Sequence, residues 1–87
     1  MGLDTVELVL AVEEIFGIEI SNDVAASLFT VGELHEFIVA ELTRLERPAV
    51  NRDIVFDLLR NIICIQLAVE PKDVVPSARF IQDLHAD

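Results

Sequence analysis

The sequence predicts an all-α fold, a small bundle of four helices with a long ordered loop, and three observations lead there. Apolar residues recur at helical spacing along most of the 87 residues, and residues able to cap helices stand where several of the periodic runs begin. The composition is 53% hydrophobic with no Trp or Tyr and only three Gly and three Pro, which suits packed helices better than a loop-rich chain. A chain of this length can bury one modest core, so a single domain is expected.

The first helix is expected from Leu3 to Phe16. Leu8, Val12, Ile15 and Phe16 fall on one side of it and Leu3, Val6 and Leu10 on another, giving one helix two apolar stripes. Asp4, Glu7, Glu13 and Glu14 run between them, and Asp4 and Glu7 near the N-terminus complement the helix dipole. Gly17 ends the helix. Ile18-Glu19-Ile20 is too short for a strand, whereas Ser21-Asn22-Asp23 reads as the cap of a short helix through about Leu28.

Thr30 caps a longer helix, with Glu33 three residues on as a capping box requires. Leu34, Phe37, Ile38, Glu41, Leu42 and Leu45 carry that helix to near Glu46. Arg47-Pro48-Ala49-Val50-Asn51 reads as a linker, because the proline disfavours helix just before it and Asn51 can cap a new helix after it. That helix is expected from about Arg52 to Leu67. Its apolar positions Ile54, Val55, Leu58, Leu59, Ile62, Ile63, Ile65 and Leu67 cover more than one face, as in the central member of a bundle. Pro71 and Pro76 keep Ala68 to Ala78 irregular, while Val69, Val74, Val75, Phe80, Ile81 and Leu84 are spaced to pin this loop to the core. A last helical turn is expected around Arg79 to Leu84.

Sixteen acidic against six basic residues give a formal charge of -10. Phosphate backbones and anionic membranes are repelled and basic protein patches attracted, so neither nucleic acid nor membrane is expected as a partner. The single cysteine, Cys64, excludes an internal disulfide, and within Ile62-Ile63-Cys64-Ile65 it reads as a small buried apolar residue. The start lacks a basic region and is interrupted by acids, so it reads as neither a secretory signal nor a membrane span. A cytoplasmic location is expected.

Nothing in the chain assembles a catalytic site. His35-Glu36-Phe37-Ile38-Val39 begins like H-E-x-x-H but lacks the second histidine. A metal site from His35, His85 and Cys64 would need three remote positions to converge, and none is expected. With no Gly-rich phosphate loop, nucleophile elbow or catalytic triad, the chain does not read as an enzyme.

Read end to start, Asp83-Leu84-His85-Ala86-Asp87 followed by Gly2-Leu3-Asp4-Thr5-Val6-Glu7 closely resembles the prosthetic-group site of acyl carrier proteins, which the family writes D-L-G-A-D-S-L-D-T-V-E. Asp53 to Asp87 resembles the family's first helix and long loop, most clearly in Phe80-Ile81-Gln82-Asp83-Leu84. Leu3 to Leu42 resembles the second to fourth helices, most specifically in Leu3 to Val9, in Glu13 to Ile20 and in Thr30-Val31-Gly32. The resemblance implies an acyl-carrier-like bundle in circularly permuted order, with 3–45 as family helices two to four, 46–51 as a linker and 52–87 as helix one and loop. A permuted monomer is favoured, because closing a loop over so few residues costs little when its ends are close. The alternative is a homodimer in which the two chains exchange the helix beginning at Arg52.

The resemblance also sets expectations for the site. In the family the serine carries 4'-phosphopantetheine, and here that position falls on Met1 or Gly2, neither of which has a hydroxyl. Gly2 is thus a vacant serine position flanked by Asp87, Leu3 and Asp4. No prosthetic group is expected in this form, and 4'-phosphopantetheine is expected only if a serine stands at Gly2. Ser21, Ser27 and Ser77 are not followed by Leu-Asp and do not replace it. Leu3, Val6 and Leu10, bordered by Asp4, Glu7, Glu13 and Glu14, match the family's docking seam for basic patches on carrier-dependent enzymes. Ile15 stands where the family usually has an acid, and His85 where it has glycine.

The leading expectation is a helical module that docks on such enzymes without the arm. One alternative is a genuine acyl or aminoacyl carrier of fatty-acid or polyketide-type synthesis whose serine is lost or altered at the chain start. Another is a self-associating, domain-swapped structural protein.

Overall fold

Helix α4 is the hub. It runs Arg52–Leu67 and packs against α1 (Leu3–Phe16), α3 (Val31–Arg44) and a short 3-10 turn at Pro71–Asp73, while α2 (Asn22–Ser27) links α1 to α3. The computed structural model describes residues 3–47 and 51–86, and side chains from residue 4 onward. Among the described residues there is no strand, only an isolated antiparallel bridge between Thr30 and Arg79. The fold is all-α, as the sequence predicts.

Local chemistry explains each boundary. Glycine's freedom lets α1 stop at Gly17, whose φ is +66° and whose N–H donates to the Glu13 carbonyl at 2.9 Å. Ser21 accepts the Val24 N–H and starts α2. Thr30 and Glu33 form the expected reciprocal capping box on α3, satisfying N–H groups that a helix start otherwise leaves unpaired. Asn51 accepts the N–H groups of Asp53 and Ile54 and starts α4. That helix ends at Ala68, which takes a left-handed φ of 55°. Residues 48–50 of the expected linker lie outside the described residues.

Leu8, Val12, Ile38, Leu59, Ile63, Val74 and Leu84 form the closed centre of the core. Each large aliphatic side chain removed from water there contributes about 1.5–3 kcal/mol before the cost of ordering it. Ile18 and Ile20 are buried beside α1, and Val74, Ala78, Phe80, Leu84 and Ala86 bury the inner side of the C-terminal loop.

Several apolar residues expected in the core face solvent instead. Ile15 is 58% exposed and does not join Leu8, Val12 and Phe16, because helical spacing sets it on the flank of their stripe. Ile54, Leu58 and Ile65 are likewise exposed, since α1 and α3 cover only the side of α4 that carries Val55, Leu59, Ile62 and Ile63. Val75 and Ile81 point away from the loop's buried side. Cys64 is half-buried, not enclosed, and burial still pushes its thiol pKa up.

Candidate functional site: the exposed face of α1 and the C-terminal strap

The second stripe of α1 is open to solvent at Val6 and Leu10. Val6 is 38% and Leu10 58% exposed, so neither packs inside this fold. Glu7 and Glu14 beside them are exposed, and Asp4 is half-buried in the first turn. Among the described residues none of the α1 carboxylates forms an ion pair. Glu13 differs from the others: its Oε2 accepts the Ile20 N–H at 2.8 Å, so this carboxylate is already holding the chain after α1. Gly2, Asp87 and the side chain of Leu3 lie outside the described residues.

The absence of counter-charge on α1 has a sequence origin that helical periodicity does not reveal. Residues 1–43 hold nine carboxylates and no Lys or Arg, whereas residues 44–87 hold seven carboxylates and all six cations. Those six are engaged. Arg44 pairs with Glu41, Arg52 with Glu36, Arg60 with Asp57, Lys72 with Glu70 and Arg79 with Asp83. The Arg47 guanidinium donates to the Gly17 carbonyl at 3.1 Å. Hydrogen bonding from Arg52 and Arg44 holds the Glu36 and Glu41 carboxyls below their usual pKa.

The C-terminal loop is strapped across the start of α3. Val31 N–H donates to the Ala78 carbonyl at 2.9 Å, Gly32 N–H to the Pro76 carbonyl at 2.9 Å, and Phe80 N–H to the Phe29 carbonyl at 3.0 Å. Gly32 is required for this approach, since a Cβ there would stand 2.9 Å from the Pro76 carbonyl oxygen. Beyond the strap, Asp83 and Leu84 N–H groups close a turn on the Arg79 carbonyl, and Ala86 N–H returns to the Phe80 carbonyl at 2.8 Å. The Asp83 carboxylate accepts from both the backbone and the guanidinium of Arg79, which lowers its pKa. His85 between them adopts φ +58°. This is the position at which the family motif has glycine, the residue that enters the left-handed region without a Cβ penalty.

Serine chemistry does not compensate for Gly2. Ser21 is occupied as a cap acceptor, Ser27 Oγ donates to the Val24 carbonyl at 2.7 Å, and Ser77 lies in the loop. None of these three serines is followed by Leu-Asp, and Gly2, at the serine position of the resemblance, has no hydroxyl. His35 Nε2 lies 2.9 Å from the Arg52 carbonyl and its ring meets Phe56 edge-on, whereas His85 is exposed. Among the described residues no three His, Cys, Asp or Glu side chains converge as metal ligands. A cleft of about 790 Å³ between α3 and α4 is lined by His35, Phe56, Arg52 and Arg60, but both arginines in it are already paired.

Comparison with known proteins finds similarity over part of the chain. The acyl carrier protein of Sinorhizobium fredii and the acyl carrier protein AcpP of Rhizobium meliloti are each 61% identical to the chain over 37 residues, 42% of this chain and 47% of the relative. Over those residues the chain is similar to acyl carrier proteins. It spans about half the length of the curated relatives it matches. No family model and no solved structure matches. Among the described residues, no helix is long and apolar enough to cross a membrane.

Proposed function

We propose that this chain is an acyl-carrier-like, non-catalytic module that docks on basic surfaces of carrier-dependent enzymes through α1, in a form without the phosphopantetheine arm. The observation carrying this reading is the α1 face itself. Val6 and Leu10 are exposed with Glu7 and Glu14 along one border of their strip and Glu13 along the other, and no cation of the described chain pairs with those carboxylates. An apolar strip bordered by uncompensated acid is complementary to an apolar strip bordered by Lys and Arg. Asp4 adds a further acid in the first turn of α1, and Glu13, already bonded to the Ile20 N–H, contributes field more than contact.

Permuted order is part of the proposal. It is supported by the residue-level resemblance on both sides of the 46–51 linker and by packing of α4 onto α1 and α3 within one chain. A match that runs for 37 residues and stops is also what an exchanged order leaves in a collinear comparison. The shortness of the 46–51 linker favours the monomer over a reciprocal exchange of α4, because closing a loop over so few residues costs little when its ends are close.

Intact mass after incubation with a broad-specificity phosphopantetheinyl transferase and coenzyme A tests the arm, on this chain and on Gly2→Ser. The expected result is mass gain in Gly2→Ser alone. Gain in the unmodified chain would restore the genuine-carrier alternative. Docking is tested by calorimetry against a carrier-dependent enzyme with a basic patch. Val6→Asp should weaken binding at least tenfold and added salt should weaken it further, while the helical circular dichroism stays unchanged.

A further inference from the structure

Helix α4 carries a second exposed apolar seam, separate from the docking face of α1. Ile54 is 58%, Leu58 44% and Ile65 78% exposed, and Asn61 is exposed between them. Positions 54, 58, 61 and 65 follow the alternating four-three spacing of a helix–helix seam, so the four side chains form one line along the helix. Among the described residues no element is packed over this line, because α4 meets α1 and α3 through Val55, Leu59, Ile62 and Ile63.

We infer that this seam is a contact between two copies of the chain, pairing α4 with α4. Charge selects the occupant. A chain of net charge -10 can approach its own copy only where local charge is balanced. Along α4 the two aspartates, Asp53 and Asp57, are matched in number by two arginines, Arg52 and Arg60, with Asp57 paired to Arg60, while Arg52 also reaches Glu36 of α3. The α1 face has no such compensation, so it suits a cationic partner and repels a copy.

Area sets the strength. Three side chains this exposed present a patch on the order of a few hundred Å², the size that marks interaction sites on small proteins. That is less than the roughly 800 Å² per partner of a standard stable interface, so the association is reversible and concentration-dependent. A twofold relation makes the contact self-complementary, with the same line of residues on both sides.

Sedimentation velocity of the whole chain, from about 10 μM to about 1 mM at low and high salt, tests this. The expected result is a shift from one to two chain masses with concentration, strengthened by salt because screening relieves the repulsion of like-charged copies. Ile65→Glu should stay monomeric throughout and keep its helical circular dichroism, whereas Leu10→Glu on α1 should dimerise as the parent does. A parent that stays monomeric throughout overturns the inference. So does an Ile65→Glu variant that dimerises normally, or loss of the dimer in Leu10→Glu. None of these outcomes bears on whether Gly2→Ser accepts the arm or α1 binds a basic enzyme.

Discussion

Glu13 holds Ile20 by its backbone. The carboxylate reaches seven residues forward, accepts the Ile20 N–H at 2.8 Å, and fixes the bend through which Ile18 and Ile20 enter the core. Glu13→Ala should therefore cost about 1–3 kcal/mol, since it strips a partly buried N–H of its acceptor. Glu13→Gln, which keeps a carbonyl oxygen in place, should cost less. Urea unfolding of the two variants checks this, and equal stability of Glu13→Ala and the parent would remove the structural role.

The strap of the C-terminal loop rests on Gly32. Gly32→Ala places a methyl against the Pro76 carbonyl oxygen, a backbone atom that cannot swing aside. A loss of about 1–3 kcal/mol is expected, as for other overpacked contacts. Amide exchange should accelerate at Val31, Gly32 and Phe80, whose N–H groups close the strap. Unaltered exchange at those three amides would show that the loop is held by its apolar side chains alone.

Three described residues with Cβ atoms take a left-handed φ at chain reversals, Glu46 after α3, Ala68 after α4 and His85 in the C-terminal loop. Ala68→Gly and His85→Gly should each stabilise the fold by about 0.5–1 kcal/mol, the relief of backbone strain exceeding the added entropy of the unfolded chain. Urea midpoints should rise with unchanged slopes. A fall in midpoint at His85 would mean that its side chain makes a contribution larger than the strain.

Acid should loosen the turn that Asp83 organises. Its pKa is lowered first by the side-chain hydrogen bond from Arg79 and next by the Arg79 backbone N–H. A carboxyl depressed in the folded state contributes stability above its unfolded value, and that contribution is lost as pH falls through the folded one. The loss belongs below about pH 4. Asp83→Asn should flatten the dependence of stability on pH in that window, and a slope identical to the parent's would exclude Asp83 as a source of it.

Most of the helical framework was readable because its determinants are local. Spacing and caps placed α1, α2, α3 and α4 nearly residue for residue, from Leu3, Ser21, Thr30 and Asn51. Burial was less legible. Periodicity reports that Ile15, Ile54, Leu58 and Ile65 are apolar, but not that no other element of the described fold is set against them. The Glu13 bond to Ile20 depends on where a bend returns the chain, and the strap is built from backbone carbonyls that leave no side-chain pattern except Gly32. Of the candidate site, the α1 strip was visible in the spacing of Val6 and Leu10. Its want of counter-ions had a signal too, the 43 residues without a Lys or Arg, which lies in the charge sequence and not in hydrophobic periodicity.

That uneven distribution gives the two segments of the chain different electrostatic characters. Nine of its ten net negative charges belong to the half that contains α1, so its charge acts less as a uniform shell than as a handle. A cationic surface can turn the chain while still about 10 Å away in 0.1 M salt, the distance over which fields survive screening. On the proposed docking through α1, orientation would precede touch.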